Sequence, residues 1–173
     1  GNYLPLYAKS FFNANHRTPW GDAIGFNQQV VRDFFIHNAL YWLEEYRFDG
    51  LRLDAVHAIR DDSSVHVLAE LAGRVRAAFQ DRHIHLVLEN ERNEAHWLRR
   101  DLSGKPLYYT AQWADDIHHC WHVLLTGERE GYYKDFAEAP VMLLGRALAE
   151  GFAYQGEVSK HTGIARGQSS VHL

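Results

Sequence analysis

The sequence is poor in cysteine. Cys120 stands alone among 173 residues, so no disulfide can form within the chain, which fits a reducing, cytoplasmic setting. Runs of one charge are also missing. The 18 Lys and Arg are scattered, no basic run exceeds two residues and the net charge is −4. With a pI near 6.3, the chain carries no electrostatic footprint for nucleic acid or an anionic membrane. No apolar stretch approaches the ~20 residues that span a bilayer. The start, Gly1-Asn2-Tyr3-Leu4-Pro5, has neither the charged nor the apolar segment of a signal peptide. An initiating Met is lacking as well, as expected of a piece of a longer polypeptide. No internal repeat or low-complexity segment is present.

What is there is the balance of an ordinary globular domain, 46% hydrophobic and 23% charged. Residues 1–26 are rich in aromatics and turn formers without a sustained period, which predicts an ordered, aromatic-rich surface loop. From Asn27, a plausible N-cap, the pattern changes. Val31, Phe34, Phe35, Asn38, Trp42, Leu43 and Tyr46 recur at helical spacing and predict a helix over 28–46. Gly50 to Val56 reads as a short buried strand. A helix opening at Asp62-Ser63-Ser64 carries Val65, Leu68, Leu71, Ala72, Val75 and Phe79 on one face. His85 to Glu89 reads as a second strand, and 92–101 as a helix. A third strand is expected near 109–113, with further helices over 116–126 and 140–150, the last opened by Pro140. Strand and helix alternate over 27–173 with short connections, the mark of βαβ units and a parallel sheet.

Strand parity turns this into a statement about chemistry. In Leu51-Arg52-Leu53-Asp54 the leucines share one face, and Arg52 and Asp54 the other. In His85-Leu86-Val87-Leu88-Glu89 the leucines again share a face, leaving Glu89 opposite. The leucines suit a sheet covered by helices. The two acids then stand at the C-terminal strand ends, where parallel α/β folds build active sites. Strands joined by one helix are usually neighbours about 4.8 Å apart. Two carboxylates there are expected about 5–5.5 Å apart, the separation of a retaining glycosidase rather than an inverting one. Arg52 favours an ionised Asp54, fit to be a nucleophile. The apolar run before Glu89 and a neighbouring anion favour a protonated acid. The plainer alternative is a structural Arg52–Asp54 ion pair with Glu89 as a strand-end residue.

The stretch Phe48 to His57 (FDGLRLDAVH) resembles the second conserved region of the α-amylase superfamily, where Arg and the nucleophilic Asp end barrel strand four. Leu86-Val87-Leu88-Glu89-Asn90 resembles the third, with the acid/base Glu ending strand five. Gly1-Asn2-Tyr3-Leu4, Ala55 to Ile59, Ala111 to His119, Leu124 to Glu128, Gly131-Tyr132-Tyr133 and Gly151 to Glu157 look like the trehalose-releasing members of that superfamily. The resemblance covers essentially the whole chain. It implies part of a (β/α)8 barrel, roughly strands four to six with their helices. It also implies a hydrolase that cleaves the α-1,4 bond beside the terminal trehalose of malto-oligosyltrehalose. Asp54 and Glu89 would be catalytic, with Arg52, His57, Trp113, Asp115 and Asp116 near the sugar; Trp113 could equally be a core residue and one Asp a helix cap. No cofactor is implied. The superfamily's first region, Asn-His, is expected before Gly1, and its fourth, Asn-His-Asp with the third acid, beyond Leu173. A (β/α)8 barrel takes about 250 residues, so the chain is expected to be a barrel segment, inactive alone, with sheet edges prone to self-association.

Alternatives remain open. A glucan-branching transglycosylase would share both carboxylates, and a non-catalytic glucan-binding piece would need neither. His118 and His122, spaced i, i+4, could chelate a metal, though no His-Glu-x-x-His pattern or cysteine pair accompanies them. Trp20, Trp42, Trp97 and Trp121 are expected to serve packing, and Cys120 to be inert.

Overall fold

The structure is a computed structural model describing residues 3–170; Gly1 and Asn2, the start of one family-like stretch, lie outside the described residues. Two compact units divide the chain between Leu86 and Val87.

In the first unit, a short helix α1 (Leu4–Tyr7) precedes a hairpin of β1 (Phe12–Thr18) and β2 (Gly21–Ile24). The strands pair antiparallel, with a bulge between Asn13 and Arg17. This corrects the expectation of a loop over 1–26. Phe12-Asn13-Ala14-Asn15-His16-Arg17-Thr18 has no apolar alternation to announce a strand, and the tight turn at Thr18–Gly21 is held by the Thr18 hydroxyl donating to Gly21 O (3.1 Å).

Helix α2 (Gln29–Glu44) follows; its N-cap is Gln28 rather than Asn27. Val31, Ile36, Ala39 and Leu43 form its buried stripe, whereas Phe34, Trp42 and Tyr46 are over a third exposed. Those aromatics meet other rings instead: Trp42 stacks on Phe48 at 5.6 Å and lies tilted against Tyr46 at 4.7 Å, while Phe34 meets Phe11 edge-on. α2 packs on α3 (Val67–Ala78), which buries Leu68, Leu71, Ala72 and Val75. α3 begins later than Asp62 because Asp61 organises the approach. Its carboxylate accepts from Ser63 N (3.0 Å) and Val67 N (2.6 Å), leaving Val65 outside the helix and exposed.

Between these helices lies β3 (Gly50–Leu53). It ends before Asp54, and Ala55 adopts a left-handed conformation (φ 44°), so Val56–Ala58 turn as a 3-10 helix instead of extending the strand. Gly50 is dictated by close approach. A Cβ there would fall against the carbonyl oxygen of His85 and 2.8 Å from its Cβ, while His85 N donates to Asp49 O (2.9 Å).

Strand β4 (His85–Glu89) carries the chain from the first unit into the second. Its burial alternates as parity requires, with Leu86 and Leu88 fully buried and Val87 and Glu89 half-buried. In the second unit it pairs parallel with β5 (Ala111–Trp113), matching Leu88 with Gln112 and Glu89 with Trp113. Instead of a helix over 92–101 there is only one 3-10 turn, Ala95–Leu98. Asn93 is left-handed (φ 52°), and the Asp101 carboxylate gathers Ser103 N (2.8 Å) and Lys105 N (2.9 Å) into a turn, a local competitor of helix. Helices α4 (Asp115–Thr126) and α5 (Pro140–Glu150) pack together over a core of Cys120, Val123, Phe136, Leu144, Ala147 and Tyr154.

Candidate active site

In the first unit, Asp54 directly follows β3 and pairs with Arg52 two residues back. Its side chain is 77% exposed, so the carboxylate is accessible. It opens onto a cavity of about 660 Å³ with walls of Phe11, Phe12, Trp20, Phe26, Phe34 and Phe35. Phe11 and Phe35 meet Phe34 edge-on at 5.3 and 5.4 Å, which fixes the rings. Ala55, Ala58 and Ile59, from the turn after Asp54, complete this side, and His57 sits half-buried within that turn. An acid beside an apolar, ring-walled hollow can take a ligand with apolar faces and polar edges, as a pyranose has.

The hollow is held by Arg32, which is almost wholly buried. Its guanidinium donates to Phe26 O (3.1 Å), Asp61 Oδ2 (2.8 Å), Glu70 Oε2 (2.7 Å) and Val65 O (2.6 Å). It therefore ties the Phe26 wall to the loop that leaves Asp54. Burial pulls the Arg32 pKa down, but Glu70 and Asp61 outweigh it and hold the pKa above the usual value. The Asp61 carboxyl is held below the usual range: burial pushes it up, and bonds from Ser63, Val67 and Arg32 outweigh that.

In the second unit, Glu89 ends β4 beside Trp113, which is 55% exposed. Asp115 opens α4 immediately after. Its carboxyl is pushed up, first by burial and further by the negative charges of Glu89 and Glu91, against the pull of His118 and Arg166. Glu89, Trp113 and Asp115 are thus gathered at the C-terminal ends of β4 and β5. Asp116 differs. It is fully buried, and its oxygens accept from Asn93 Nδ2 (2.8 Å), Ala153 N (2.8 Å), Tyr154 N (3.3 Å) and Arg166 Nη2 (2.5 Å). Its work in this structure is internal.

His122 bonds to Glu128 (2.7 Å) and stacks on Tyr133, while His118 lies 3.9 Å from Asp115. Among the described residues no group of three or more His, Cys, Asp or Glu could hold a metal. Cys120 is buried, and burial pushes its thiol up to about 12. Among the described residues no helix is long and apolar enough to cross a membrane.

Trp20 escaped the sequence reading as a site residue. The signal was the density of aromatics around Pro19 and Gly21, which marks a built loop without saying what it faces.

The parallel strands with acids at their C-terminal ends form an α/β barrel segment, and over most of its length the chain is similar to proteins of the α-amylase family. No family model matches it. It is similar to the malto-oligosyltrehalose trehalohydrolase of Mycobacterium tuberculosis (strain H37Rv), 41% identical over 164 residues, 92% of this chain and 27% of that protein. The crystal structure of a Salmonella typhimurium protein assigned as an alpha amylase superposes with a TM-score of 0.92 at 51% identity, covering 98% of this chain and 29% of that one. A shorter match, 45% over 53 residues, joins 30% of this chain to 7% of the 1,4-alpha-glucan branching enzyme GlgB of Mycolicibacterium paratuberculosis. The chain therefore spans under a third of the length of the curated relatives it matches.

Proposed function

We propose that the chain is the nucleophile- and acid-bearing segment of a retaining glycoside hydrolase that releases trehalose from malto-oligosyltrehalose. The observation that carries this reading is Asp54: exposed, paired with Arg52 and opening onto an aromatic-walled cavity, in a chain similar throughout to trehalohydrolases. In the proposed reaction an Asp54 oxygen attacks the anomeric carbon of the glucosyl unit joined to trehalose. Glu89 gives its proton to the departing oxygen, and trehalose leaves. Water, deprotonated by Glu89, then cleaves the glycosyl–Asp54 ester and frees the shortened glucan with its configuration retained. Arg52 aims Asp54 through their ion pair, while His57, Trp113 and Asp115 are assigned to sugar hydroxyls and ring faces, and Asp116 braces the Asn93 turn. A cytoplasmic location fits the lone Cys120.

The activity belongs to a polypeptide of the relatives' length, and the 173-residue chain alone is expected to be inactive. In that longer enzyme, Asp54→Asn and Glu89→Gln should each abolish trehalose release from maltotriosyltrehalose. More than a few per cent of activity in Asp54→Asn would remove the nucleophile assignment. The match to a branching enzyme favours a second reading, in which the glycosyl unit passes to a sugar hydroxyl. New α-1,6 branches without free trehalose would establish that reading in place of the first.

A further inference from the structure

The turn after Glu89 is fastened from far along the chain. The carbonyl of Asn90 accepts from Gln112 Nε2 (2.9 Å), and that of Glu91 from Arg166 Nε (2.7 Å). Asn93, buried and left-handed, donates its side-chain amide to Asp116 (2.8 Å), and its carbonyl accepts from Gln168 N (3.0 Å). Arg166 is common to most of this: one arm reaches Glu91 O and another Asp116, while a third nitrogen lies 3.6 Å from Asp135. Its guanidinium stands over the Tyr154 and Phe136 rings at 5.2 and 5.7 Å.

Arg166 is itself preset. Gly156 N donates to Arg166 O (2.8 Å) and Arg166 N to Glu157 O (2.9 Å). Asp135 holds the far end of this loop through the Ser159 hydroxyl (2.7 Å) and His161 N (2.9 Å). The next residue, Gly167, has φ +88°, and a Cβ there would collide with Tyr154 O, so the segment lies flat against the unit. A planar fork with three nitrogens on three targets is a task that a lysine's single ammonium cannot reproduce.

We infer that Arg166 is a positioning residue for Glu89, fixing through Glu91 and the Asp116–Asn93 contact the turn that sets where the acid's proton is delivered. This rests on the acid/base role proposed for Glu89. A misplaced acid hurts substrates whose leaving group needs a proton, and spares those whose leaving group does not.

The test compares kcat/KM on maltotriosyltrehalose with kcat/KM on an α-maltosyl fluoride in the full-length enzyme. Arg166→Lys should lose about 10²-fold on the glucan and about threefold or less on the fluoride, with Gln112→Leu showing the same bias more weakly. An equal loss on both substrates, or no loss, would overturn the inference. If Arg166→Lys fails to fold, Gln112→Leu decides by the same ratio. Glu89→Gln is the reference. If it loses equally on both substrates, the acid/base assignment itself falls; if it alone shows the bias, only the role of Arg166 does.

Discussion

Each unit buries an arginine between two carboxylates, and the two arginines do different things. Arg32, side chain 5% exposed, meets Asp61 and Glu70 and braces the wall of an apolar hollow. Arg166, 15% exposed, meets Asp116 and Asp135 and braces a turn at a strand end. The first secures a shape in which a ligand can lie; the second secures the backbone next to one reactive group. A buried ion cluster is weak evidence of stability by itself, so its use is better read from what it holds still.

That contrast can be broken by experiment. Arg32→Met strands Asp61 and Glu70 and should cost about 3–5 kcal/mol in denaturant unfolding, the usual result of removing one partner from a buried pair. If stability stays within about 0.5 kcal/mol, as at an ordinary surface site, Arg32 is no brace. Trp20→Ala sharpens the picture of the hollow. It should raise KM about tenfold with kcat nearly unchanged, the pattern of lost uniform binding, and an unchanged KM would take Trp20 out of the sugar's path.

The smallest effect concerns His119, packed against Tyr132, Tyr133 and Phe136, its Nδ1 buried without a partner among the described residues. Burial, helped by the charges of His118, Arg166 and His122, lowers its pKa from 6.5 to about 4. The neutral ring is the folded form. Its contribution is present above pH 6.5 and is lost as pH falls through 4. The Tm should therefore drop more steeply over that window in the wild type than in His119→Phe; parallel curves would dismiss the effect.

Much of this was legible in the residues. Alternation placed Leu86 and Leu88 inward and Glu89 opposite, and Pro140 marked the first residue of α5, because both signals are local. Arg52 and Asp54 met because they are only two residues apart at the end of β3, so that signal too is local. The hairpin went unread because Phe12–Thr18 has no apolar alternation, and the 92–101 helix was overstated because Asn93 and Asp101 prefer turns. The long-range fastenings lay further from reach. Arg32 finds Glu70 38 residues on, and Arg166 finds Asp116 50 residues back. No period or spacing encodes such pairs. They appear only when the chain is folded, as does the hollow that turns Trp20 from a packing residue into a wall.

The buried carboxylate of Asp116 also sets a clock. The amides of Ala153 and Tyr154 donate into it, and Arg166 binds the same carboxylate. Deuterium uptake at those two amides should therefore rise together, on the opening rate of one latch. In the longer enzyme it would report directly how often the turn behind Glu89 comes loose.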